Sequence, residues 1–128
     1  MLHVLLIMLG GAVGALLRYG LSKLVQPEDV DFPFGTLTVN VVGCLAMGFV
    51  AALVAGPERE AYRMVVLVGL LGAFTTFSTY GIEALTLLEN GKFARLLGYV
   101  AASNVAGIGG VWVGSKLAAM VFGSPEAV

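Results

Sequence analysis

Four stretches of this chain are long enough and apolar enough to cross a lipid bilayer, and nothing else in the sequence restricts its fold so severely. Crossing the hydrocarbon takes about 20 apolar residues in a helix. The first stretch runs from about Leu2 to Leu17 and ends at Arg18. The second runs from about Phe34 to Ala55, with no charge between Asp31 and Glu58. The third runs from about Met64 to Leu88 and holds Glu83. The fourth runs from about Leu96 to Phe122, with only Lys116 near its end. The connections SKLVQPEDVDFP, GPERE and ENGKF are short and carry the breakers Pro33, Pro57 and Gly91. No soluble domain fits between them, so the expectation is an all-α membrane protein forming a single four-helix transmembrane domain over residues 1–128.

Composition points the same way. Charged residues are 12% of the chain, against about 25% in soluble domains, and mean hydropathy is +0.96. The net charge of -1 is the wrong sign for a nucleic-acid surface. The opening MLHVLLIML lacks the positive n-region of a cleaved signal and reads as a retained span. Cys44, the single cysteine, has no partner for an internal disulfide.

The positive-inside rule leaves orientation almost tied. Arg59, Arg63 and Lys116 fall on one side; Arg18, Lys23, Lys92 and Arg95 fall on the other. Either details outside the charge count decide, or the chain inserts both ways. Dual insertion would make an antiparallel dimer, giving the symmetry that many transporters obtain from inverted repeats. Four helices alone leave little room for a path. Gly10 with Gly14, and the stripe Ala102, Ala106, Gly110 and Gly114, have the small-xxx-small spacing that lets helices approach closely in lipid.

Polar residues at membrane depth need a partner or a wet cavity. Thr36, Asn40 and Gly43 share one face of the second helix. Asn40 fits either a packing amide or a path-lining group. The third stretch contains GAFTTFSTYG (72–81), with hydroxyls at Thr75, Thr76, Ser78 and Thr79, a glycine at each end, and Glu83 just beyond. Each hydroxyl could bond back to its own helix. Four of them beside two glycines favour a helix broken near its middle, whose freed carbonyls could hold a small cation and whose donors could hold an anion. Phe74, Phe77 and Tyr80 recur every three residues. They read as ordinary packing aromatics or as ring edges offered to an anion. No lysine or arginine is expected at mid-depth, so an anion would not be trapped. Ser103 and Asn104 are adjacent on the fourth helix and so face different ways. His3 is alone, and no nucleophile–base set stands out, so a catalytic site is not expected.

Three of these stretches resemble the CrcB/Fluc family of fluoride channels: GGAVGALLRY (10–19), PFGTLTVN (33–40) and GLLGAFTTFSTYG (69–81). They occur in the family's order, and the likeness covers essentially the whole chain. It implies an antiparallel, dual-topology homodimer in the bacterial inner membrane with two pores, conducting fluoride passively and selectively out of the cytoplasm. It also implies a structural sodium ion at the dimer centre. Carried over by position, Asn40, Phe77, Tyr80, Ser78, Thr79, Thr36, Glu83 and Ser103 would line the fluoride path. The backbone carbonyls of Gly72 and Thr75 would hold the sodium, and Arg18 is the family's first-helix arginine with a structural role. Tyr80 stands where the family has a second phenylalanine, Ala73 where it usually has glycine, and Gly107 where a second serine often appears. The rival is a proton-coupled small multidrug exporter, whose essential carboxylate lies in its first helix; here that helix has none. A non-conducting membrane partner is a third class, and intact Asn40 and Phe77 argue against it.

Overall fold

A computed structural model describes residues 1–123, so the last five residues of the expected domain lie outside it. Four spans, all helical, are long and apolar enough to cross a membrane. Helix is the expected outcome, because lipid offers no partner for an unpaired backbone group. The first span is α1 (Leu2–Val25) and the second α2 (Phe34–Leu53). The third, Pro57–Glu89, is segmented. A 3₁₀ turn (Pro57–Arg59) leads into α3 (Glu60–Arg63), a wide π-wound stretch (Met64–Leu71), the single turn α4 (Gly72–Phe74), and α5 (Phe77–Glu89). The fourth is α6 (Phe93–Phe122).

The expected break therefore exists and falls at Thr75–Thr76. Three other expectations need correcting. Helix α1 continues past Arg18 to Val25, since hydropathy marks the end of an apolar run and not the end of a helix. Arg18 thus sits inside a span, half-buried, with no hydrogen bond or ion pair among the described residues. The third span starts before Met64 and is π-wound over eight residues. Finally, the three-residue recurrence of Phe74 and Phe77 does not run along one continuous helix. The break separates them, leaving Phe74 8% exposed and Phe77 83% exposed.

Helix α2 is the centre of the bundle and packs most extensively on α6. The small residues make this possible. A side chain at Gly48 would run into the Val111 carbonyl, and one at Gly114 into the Leu45 carbonyl. On the other side α1 lies against the π-wound stretch, with Gly14 facing the Leu70 carbonyl. The connections are tied at specific points. In the α1–α2 loop, Gln26 Nε2 donates to the carbonyls of Val30 (3.1 Å) and Phe32 (3.2 Å). Its Oε1 accepts from the Gly35 N–H at 3.0 Å, capping the start of α2. At the end of α5, Gly91 takes φ +69°. Its N–H reaches Leu88 O and that of Lys92 reaches Leu87 O, the two-bond glycine stop that closes many helices.

Candidate functional site

The break in the third span is where the unusual chemistry collects. Thr75 (φ -79°, ψ 158°) and Thr76 (φ -149°, ψ 119°) are extended. In a continuous helix the Thr76 N–H would bond the Gly72 carbonyl and the Thr79 N–H the Thr75 carbonyl. Here the Thr76 N–H donates to Asn40 Oδ1 at 2.8 Å, while Asn40 Nδ2 donates back to the Thr76 carbonyl at 3.0 Å. The Thr79 N–H donates to Thr76 Oγ1 at 3.2 Å, an N-cap for α5. The carbonyls of Gly72, Ala73, Phe74 and Thr75 thereby all lose their α-helical donors. Thr75 also bonds back to its own helix, Oγ1 donating to Leu71 O at 3.1 Å.

The α2 face read from the sequence docks on this break. Thr36, Asn40 and Gly43 contact Glu83, Thr76 and Thr75 in turn. Gly43 is needed for this, since a Cβ there would collide with the Thr75 methyl. Asn40 unites the two uses left open for it: it is an interhelical amide, and the backbone it supports is the break itself. One N–H of its amide nitrogen remains for another acceptor.

Beyond the break, α5 begins inside the span with its first-turn N–H groups free of intrahelical partners. Such a terminus carries the positive end of the helix dipole. Three hydroxyls surround it: Thr76 Oγ1 donates to Thr79 Oγ1 at 3.0 Å and lies 3.3 Å from Ser78 Oγ. Phe77 projects outward from this point. Its ring lies 5.5 Å from that of Tyr80, which lies 5.2 Å from that of Tyr99.

One turn further, Glu83 accepts from the Thr36 hydroxyl on one oxygen and from the Tyr99 hydroxyl on the other, both at 2.7 Å. Tyr99 is fully buried, with Phe32 edge-on at 5.7 Å. Tyr99 was missed from the sequence, although it lies four residues before Ser103 on the same face of α6. Ser103 Oγ is enclosed with no hydrogen-bond partner among the described residues. Asn104 faces elsewhere and bonds back to Val100 O at 2.8 Å. The structure thus gathers Asn40, Thr36, Ser78, Thr79, Tyr80 and Glu83 along one seam, with Phe77 at its outer edge. Arg18 is not part of it. Among the described residues no group of three or more His, Cys, Asp or Glu side chains could hold a metal, so any cation here would rest on carbonyls and hydroxyls.

A helical multi-pass membrane protein with one mid-span discontinuity, bordered by hydroxyls, an amide and a carboxylate, has the features of an ion-translocating protein. A family profile described as CrcB-like protein, Camphor Resistance (CrcB) matches residues 5–115, and the chain belongs to that family. A relative from Paracoccus denitrificans is 45% identical over 106 residues, covering 83% of this chain and 86% of the relative. One from Methylobacillus flagellatus is 40% identical over 124 residues, covering 94% and 97%. One from Methanosarcina acetivorans is 43% identical over 122 residues, covering 94% and 92%. All three are named fluoride-specific ion channels, FluC. The protein is accordingly a multi-pass inner-membrane protein of a channel family and not an enzyme.

Proposed function

We propose that this chain forms a fluoride-selective channel that lets fluoride leave the cytoplasm passively. The observation that carries this beyond family membership is the Asn40 clamp on Thr76, which holds a helix N-terminus open in the middle of a span. An anion at that point meets free N–H groups, the Ser78 and Thr79 hydroxyls and the positive edges of Phe77 and Tyr80. It meets no fixed positive charge, so it can leave as readily as it arrives. Thr36 and Glu83 continue the path, and Ser103 offers an unpaired hydroxyl from α6.

The working unit in this reading is an antiparallel dimer of two copies with two pores. Phe77, almost fully exposed on one copy, would be covered by the other. The donor-poor carbonyls of Gly72 and Thr75 suit a hard cation such as sodium. Two carbonyls are an incomplete shell, which a second copy would complete at a shared axis. Bound there, the ion would supply positive charge near the two paths. Nothing favours the multidrug-exporter alternative, since α1 has no carboxylate.

The direct test is reconstitution in liposomes loaded with fluoride, with efflux followed by a fluoride electrode after a potassium ionophore is added. Fluoride should leave rapidly and chloride should not. Asn40→Ala and Phe77→Ala should abolish most of the flux and Cys44→Ala should leave it intact. Absent efflux, or chloride passing equally well, sinks the proposal. Labelling that finds a single orientation sinks the antiparallel dimer.

A further inference from the structure

A cavity of about 150 Å³ opens beside the α1–α2 loop, enough for several waters. Its inner end reaches Glu83 and Thr86, and its outer end lies between Asp31, Asn90 and Lys92. At that mouth three charges meet on one atom. Lys92 Nζ bonds Asp31 Oδ2, and Arg95 Nη1 donates to the same oxygen at 3.1 Å. An exposed ion pair usually contributes little to stability. The loop is already braced by Gln26 and by Phe32 against Tyr99, so this cluster is not needed to hold it. Its position suggests a different use.

We propose that Lys92 and Arg95 form an outer capture site for a small hydrated anion, and that Asp31 is its built-in competitor. The carboxylate holds both cations until an arriving anion exchanges with it; the anion then passes along the cavity toward Glu83 and the hydroxyl seam. The hydrogen bond and charge of Lys92, with help from Arg95, hold the Asp31 carboxyl below its ordinary range, so it stays ionised near neutral pH. Glu28 and Asp29 lie in the same loop, exposed and away from the cavity lining. Their field is common to every variant compared below.

The test is single-channel fluoride current in planar bilayers, at about 0.01 M and about 1 M of an impermeant salt. Those conditions span Debye lengths of about 30 Å and about 3 Å. Asp31→Asn should raise the current about two- to threefold at low salt, the order of effect that one unit charge exerts on another through water at about 10 Å or less. The gain should vanish at high salt. Lys92→Gln should lower the low-salt current by a similar factor. The double variant, with its net charge restored, should return close to wild type. A current that Asp31→Asn leaves unchanged or reduces at low salt overturns the proposal. So does a change that persists at high salt, or a double variant that stays at the Asp31→Asn level, because either outcome marks a loosened loop. The inference rests on the fluoride-channel reading, and the two fail differently. A silent wild type sinks that reading, whereas a conducting wild type with an unaltered Asp31→Asn sinks only this one.

Discussion

Helix α2 meets its neighbours on two faces, and the two contacts are built from opposite materials. Toward α6 the contact is made by absence. Gly48 and Gly114 leave out their side chains, so each helix lies against the other's backbone carbonyls. Toward the third span the contact is made by polar groups, with Asn40 clamping Thr76 and Thr36 donating to Glu83. In lipid, helices gain little by hiding apolar surface from one another. Close packing and hydrogen bonding are the means that remain, and α2 uses one on each side. The first gives rigidity with no chemistry. The second gives a place where backbone and side-chain dipoles can face an ion.

The comparison can be broken at either face. The largest effect should come from Gly114→Val, which drives a branched side chain into the Leu45 carbonyl. The obstacle is backbone and cannot swing aside, so the cost should be at least about 3 kcal/mol, the top of the usual overpacking range. Yield of monodisperse protein in detergent is the readout, and a normal yield would refute the close-packed face. Next comes Asn40→Ala. It orphans a buried N–H and a buried carbonyl at about 1–3 kcal/mol each, so thermal unfolding in detergent should show a clear loss of stability along with the loss of flux. Stability equal to wild type would mean that Thr76 does not depend on the clamp. The smallest effect should come from Gly81→Ala on α5, where an added Cβ meets nothing within 4 Å. Replacing glycine in a helix interior should stabilise by up to about 1 kcal/mol. Destabilisation instead would show that this open face is covered in the membrane by another chain.

The order of spans, the place of the break and the α2 face of Thr36, Asn40 and Gly43 were legible in the sequence, because each follows from spacing along one chain. The partners were harder. Asn40 bonds a backbone 36 residues away, and nothing in its own neighbourhood announces that. Tyr99 sits in an apolar run and reads as one more aromatic until its hydroxyl is seen on Glu83. The end of α1 was misplaced because a helix can continue through polar residues once its backbone bonds are made. The π winding of Met64–Leu71 was invisible because the sequence there is uniformly apolar, and hydropathy does not distinguish one helical winding from another.

That winding also affects how the chain tolerates change in length. A π turn holds more residues for the same height than an α turn, so the first half of the third span carries spare chain. Losing one residue between positions 64 and 71 can be absorbed by tightening the coil, leaving Thr76 opposite Asn40. No such slack exists between Thr75 and Tyr80, where every residue is fixed by a named partner or by the start of α5. The span is therefore elastic in register on one side of its break and fixed on the other.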